Sequence, residues 1–204
     1  MMAVVAMLVL QIFNPAVVQA KEKGVAHTFL RLDRNGEPAR WDPCSTLKWK
    51  LVVTGVSNAM STEVFAAMNA LSKGTGLDFV FEDGGSAVDL KNPPANTLVI
   101  GVGVKNMNSH VAGSTRVKYA RNVSMSIRIT SAVVTINPST FKHRAHSFAF
   151  VTPVLLHELG HSVGLAHVND PTDIMFPKIV NRTQYQQSDL AKLALVGASR
   201  GCHS

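Results

Sequence analysis

The chain has 204 residues, 46% of them hydrophobic and 16% charged, and 20 Lys and Arg against 13 Asp and Glu leave a net charge of +7. That composition excludes a disordered or fibrous protein, and the length suits one domain with its own core. Two cysteines exclude a disulfide-dense scaffold and a four-cysteine zinc module, and no apolar run after residue 20 is long enough to span a bilayer.

Residues 1–20 carry no charge. Met2 to Leu10 is an unbroken apolar run, Asn14 and Pro15 break it, and Val18-Gln19-Ala20 forms a small-residue cleavage site before Lys21. This is the pattern of an export signal, although no Lys or Arg precedes the apolar run. An uncleaved anchor and a buried helix are the alternative readings. Cleavage predicts a secreted, extracellular protein free of the membrane. Residues 21–46 read as a polar N-terminal extension with turns at Arg34-Asn35-Gly36 and Asp42-Pro43, and residues 47–204 as the folded domain.

Leu47 to Thr54 alternates and is rich in strand formers, which predicts a first strand. Thr62 to Ser72 carries Val64, Phe65, Met68 and Leu71 at helical spacing, closed by Gly74 and Gly76. Strands follow at Leu77 to Phe81, Thr97 to Val104 and Ser131 to Ile136. Thr152-Pro153 predicts a helix start, with Thr152 as N-cap and proline in the first turn. Ser188 is expected to cap a last helix with Leu190, Leu193 and Ala194 on one face. This order predicts an α+β fold, a mixed sheet backed by helices.

Residues 157–167 read HELGHSVGLAH. His157 and His161 are four apart, so on a helix they lie about 40° apart around the axis, and both imidazoles reach one ion. Glu158 then stands beside that ion without ligating it. Gly164 can end the helix in a left-handed conformation, letting His167 approach as a third ligand. Three histidines leave a position open for water, as in catalytic rather than structural zinc sites. Surface histidines on an ordinary helix would not require Gly164 and His167 at these offsets.

The run resembles the metzincin metallopeptidases, whose extended motif is His-Glu-x-x-His-x-x-Gly-x-x-His. Within Asp173-Ile174-Met175-Phe176-Pro177, Met175 is similar to the family's Met-turn methionine, the floor under the zinc. The stretch Gly160 to Pro177 is matrixin-like. Trp41-Asp42-Pro43-Cys44 resembles a segment preceding the first strand in small secreted matrixin-type peptidases of actinobacteria. The resemblance implies a metzincin-like fold with an antiparallel edge strand near Val111 to Tyr119, a backing helix, a zinc helix and a C-terminal helix. It implies one catalytic Zn2+ on His157, His161 and His167, with Glu158 as the general base of a zinc endopeptidase acting on protein or peptide substrates. It also implies a specificity pocket bounded by Leu156 and by Phe176 to Val180, Pro177 among them, with an apolar preference. Arg116, Lys118 and Arg121 would flank the substrate on the edge strand and favour acidic sequences, a solvated basic face being the alternative.

Several departures from the resemblance stand out. Astacin-like and serralysin-like members carry a tyrosine where Pro177 stands, and snapalysin-like members an aspartate where His167 stands. No Pro-Arg-Cys-Gly propeptide sequence is present. No Asp or Glu lies between Asp89 and Glu158, so structural Ca2+ is not expected. His110, His143 and His146 share no ligand spacing and, with His27 and His203, read as loop histidines. Export favours a Cys44–Cys202 disulfide; two free thiols, or Cys44 as a thiolate cap on zinc, are the alternatives. The basic residues are dispersed, so no nucleic-acid partner is expected, and a monomer is. Two other functions fit the same residues: a non-catalytic secreted binding protein, and a zinc hydrolase of a non-peptide amide.

Overall fold

The protein is described by a computed structural model over residues 28–54, 58–83, 88–103, 111–122, 125–137 and 151–203. The export signal and His27, His110, His143 and His146 lie outside the described residues. The elements are β1 (Leu47–Val53), α1 (Asn58–Thr75), β2 (Phe79–Phe81), β3 (Thr97–Val102), β4 (Gly113–Arg121), β5 (Ile127–Ile136), α2 (Val151–Ser162) and α3 (Gln187–Leu195). They form one five-stranded sheet in the order β2-β1-β3-β5-β4. Only β4 runs antiparallel, pairing with β5 from Gly113↔Ile136 to Arg121↔Ile127. The α+β class and the antiparallel edge strand are as expected.

Central β3 is buried along its whole length, as a strand covered on both faces must be. Leu98, Ile100 and Val102 enter the main core beneath α1 and α2. Val99 points the other way, into a small cluster with Val52 and Val133 that Val88 and Leu90 cover.

The helix α1 runs past its predicted end at Ser72. Gly74 does not stop it; a Cβ there would sit 2.8 Å from Leu193 Cδ1 of α3, so the bare glycine lets the two helices close. The helix ends at Gly76, whose φ of 68° is left-handed. Val64, Ala67, Met68 and Leu71 face the core. Phe65 does not: it is 42% exposed and caps an aromatic group with Trp49 and Phe81 at the open end of the sheet. The last helix differs too. Ser188 lies inside α3, and the start is held by Asp189, whose Oδ2 accepts the Gln186 N–H at 2.7 Å. Of the expected apolar face, only Leu193 is buried. Helix α2 starts by Val151, so Thr152 is no cap; its hydroxyl donates instead to Glu63 Oε2 at 2.6 Å, linking α2 to α1.

The described part of the segment before β1 is not an appendage. Phe29, Ala39 and Trp41 are buried, and the Trp41 indole N–H donates to Ser162 O at 2.9 Å, meeting a carbonyl at the end of α2. The Arg40 guanidinium donates to the carbonyls of Gly201 and Arg200. Beside it Cys44 and Cys202 form a disulfide, with Cα atoms 5.4 Å apart. Both ends of the described chain are thus fixed to the same side of the core.

Candidate metal centre

Helix α2 turns Val154, Leu155 and Leu159 into the core, and its spacing brings His157 and His161 to one side. The imidazole Nδ1 atoms lie 2.7 Å from the carbonyls of Ile174 and Leu165, respectively. A carbonyl only accepts, so each Nδ1 carries the hydrogen and each Nε2 is left as an unprotonated acceptor. The two Nε2 atoms are 3.2 Å apart, and the Nε2 of His167 is 3.1 Å from both. Two acceptors facing at this distance cannot hydrogen-bond to each other. A cation between them resolves the arrangement, and ligands of tetrahedral zinc at 2.0–2.1 Å stand roughly 3.3 Å from one another. The three histidines are the group among the described residues whose ligand atoms converge in this way.

Burial pushes the His157 imidazole below its ordinary range and that of His161 down to about 4, outweighing the raising effect of the carbonyl partners. Both are therefore neutral at pH 7, the form that ligates a metal. The Nδ1–carbonyl bonds fix the tautomer and the ring orientation before any ion arrives.

His167 lies outside the helix, and its position depends on three supports. First, Gly164 turns the chain at φ 108°, and a Cβ there would sit 2.6 Å from the carbonyl oxygen of Ala39. Second, residues 28–30 run alongside the turn, with Leu30 N–H donating to Gly164 O and Ala166 N–H to Thr28 O, both at 2.8 Å. Third, Val168 N–H donates to Met175 O at 3.0 Å, joining the loop to the turn beneath it.

Met175 is fully buried. Its sulfur lies against the Cα of Gly160, where any Cβ would collide with it. The turn holding Met175 is secured from below. Asp173 Oδ1 accepts Met175 N–H at 2.8 Å, and Asp189 Oδ1 accepts Ile174 N–H at 3.1 Å. Lys192 pairs with Asp173 Oδ2. Burial raises Asp189, and contact with Asp173 raises it further. In Asp173 burial also works upward, but hydrogen bonds from Asp189, Lys192 and the Met175 N–H outweigh it and lower the carboxyl. Because Ile174 also supplies the carbonyl for His157, the Asp173–Asp189–Lys192 group braces a ligand from a distance.

Glu158 is 7% exposed. Burial raises its carboxyl, and a hydrogen bond from Thr115 works against that rise. The Thr115 hydroxyl lies 2.6 Å from Glu158 Oε2. A cavity of about 490 Å³ opens beside Glu158 and the histidines, walled by Val111, Val154, Ile174, Pro177, Ile179 and Val180.

The structure brings together His157, Glu158, His161 and His167 over Met175, and it puts Pro177 and Val180 on the cavity wall. Other expected residues fall elsewhere. Leu156 is buried, and its carbonyl accepts the Tyr185 hydroxyl, so it belongs to the core and not to the pocket. Phe176 is half-buried and does not line this cavity. Arg116 and Lys118 lie on the face of the sheet away from α2, where they donate to Leu90 O and Asn92 Oδ1. They therefore do not flank the cleft. His203 is no free loop histidine: its Nε2 contacts Arg40 O and its N–H faces Asp42. Sequence reasoning missed Thr115, Tyr185 and Asp189, and the indole of Trp41. The Trp41 to Cys44 segment points to a role for Cys44 but to none for the Trp41 indole.

Among curated proteins no match to the chain was found. Residues 104–194, from the segment before β4 to α3, match the sequence model of the matrixin family. That stretch holds the edge strand, α2, all three histidines and Met175, and the match supports a metallopeptidase of matrixin type.

Proposed function

We propose that the protein is an exported zinc-dependent endopeptidase, of the kind found among small secreted matrixin-type enzymes. The observation that carries this reading is the convergence of three imidazole nitrogens beside a buried glutamate, in a cleft bounded by the strand that forms the sheet edge among the described residues. His157, His161 and His167 would hold the zinc. When bound, zinc supplies Lewis acidity there, acidifying water and polarising a carbonyl oxygen. The other steps belong to the chain's own groups. As the edge strand of the described sheet, β4 would offer backbone N–H and C=O groups to an extended peptide, giving affinity with little sequence choice. The apolar cavity takes one side chain next to the scissile bond, an aliphatic or aromatic one by its walls. Glu158 accepts a proton from the attacking water on a carboxylate oxygen and passes it to the leaving amine nitrogen. Export fits the Cys44–Cys202 bridge, since such bonds persist in oxidising compartments.

The test is proteolysis of an unfolded protein such as casein. The zinc-loaded protein should cleave it, lose activity on exhaustive chelation and regain it with zinc. Glu158→Gln should keep close to one zinc per chain while kcat falls roughly 10²–10⁴-fold. Cleavage that survives chelation, or full activity in Glu158→Gln, contradicts the reading.

A further inference from the structure

The edge strand β4 does more than offer its backbone. Thr115 Oγ1 lies 2.6 Å from Glu158 Oε2 and 2.9 Å from the backbone carbonyl of the same residue. Two residues earlier in the strand, Gly113 has no side chain, and a Cβ there would sit 2.7 Å from Glu158 Cγ and 2.9 Å from both Oε1 and Val154 Cγ1. Strand side chains alternate faces, so positions 113 and 115 both look toward α2. One gives a donor, the other an empty space, and the glutamate fits between them. We propose that Gly113 and Thr115 are the positioning residues for Glu158, an inference that rests on the endopeptidase reading above. The pair pins Oε2 and turns Oε1 into the cleft. Among the described residues no buried side-chain oxygen lacks a partner, and Oε1 makes no hydrogen bond, so it is the oxygen left to solvent and substrate.

The hydroxyl suits both forms of the base. With Glu158 ionised, Thr115 donates to Oε2. With the proton taken up on Oε1, facing the cleft, Oε2 is still an acceptor and keeps the hydrogen bond from Thr115. The carboxyl therefore keeps its place whether it is about to take a proton or to give one up. A misplacement of about 1 Å at a reacting group costs on the order of 100-fold in rate.

Three variants test this. Thr115→Val keeps shape and removes the donor; kcat should fall about 10- to 100-fold, with KM and zinc content unchanged. Thr115→Ser restores the donor and should recover kcat to within about threefold of wild type, which lost packing alone would not explain. Gly113→Ala should lower kcat by displacing Glu158 while zinc stays bound. A readout independent of turnover is the crystal structure of the metal-free Thr115→Val protein, in which the Glu158 carboxyl should leave its wild-type position. An unchanged kcat in Thr115→Val, or an unmoved Glu158, overturns the proposal. Should Thr115→Val fail to fold, Thr115→Ser and Gly113→Ala decide it on the same readouts. If wild type itself cleaves nothing, the endopeptidase reading has failed, and the metal-free crystals still decide whether Thr115 holds Glu158.

Discussion

The candidate metal centre has two halves built on different principles. Helix α2 supplies His157, Glu158 and His161 from within five residues, and the helical period does most of the positioning. The loop from Gly164 to Pro177 supplies His167 and Met175 with no regular structure to place them. Its order comes from distant residues: the carbonyl of Ala39, the strap at 28–30, and Asp189 and Lys192 of α3, which hold the loop at Ile174 and Asp173. A local device survives small changes elsewhere in the chain, whereas a loop held by many remote contacts fails when any one of them fails. The two halves should therefore respond differently to perturbation.

The largest difference is expected at Gly164. Replacing it with Ala forces a left-handed backbone on a side chain and drives Cβ into the Ala39 carbonyl. We expect a loss of about 3–4 kcal/mol in stability, from strain and overpacking together. Zinc affinity should drop with it, because His167 moves while the two helical ligands stay. Denaturant unfolding and zinc competition check this; unchanged zinc affinity would mean that the loop does not rely on Gly164.

Next comes acid. In the metal-free protein His161 is held down to about 4 against 6.5 in the unfolded chain. Between these values the unfolded state binds more protons, so stability is full above pH 6.5 and is lost as pH falls toward 4. The loss for His161 is roughly 3 kcal/mol, and the lowered His157 adds in the same direction. Urea midpoints of chelated protein across this window should fall with pH, and zinc should resist the fall until it is released. A flat profile would show that the rings are not desolvated as described.

The smallest effect concerns the basic face. Arg116→Ala and Lys118→Ala should change relative cleavage of acidic and neutral peptides by less than about twofold at any salt concentration, because both side chains point away from the cleft. Screened surface charges of this sort carry little energy. Loss of an acidic preference in either variant would place them back beside the substrate.

This division also explains what the sequence made legible. The helical half could be read directly, because four-residue spacing on a helix is a local rule. His167 and Met175 needed Gly164 and a family resemblance as guides. The braces did not show, since Asp189 is one acid near an expected cap and Trp41 one aromatic in a polar stretch. Their roles depend on partners more than a dozen residues away. The errors have equally local causes. Leu156 precedes His157, but one step along a helix turns about 100° and carries it from cleft to core. Arg116 and Lys118 neighbour Thr115, but a strand's period of two sends them to the opposite face. Knowing which face Thr115 occupies would have settled both, and that depends on packing against α2. Sheet order and the edge position of β4 follow from pairings between strands far apart in sequence, which periodicity does not encode.

The bond between Cys44 and Cys202 turns residues 44–202 into a covalent ring that contains every strand and helix described. The endopeptidase activity proposed above would endanger the protein's own surface loops whenever two copies meet. In a ring, a single cut opens the loop but releases no fragment: the two pieces stay joined, and the edge strand, the zinc helix and the Met-turn remain on one molecule. Self-nicking would then show as a new terminus without a loss of mass until a reductant is added.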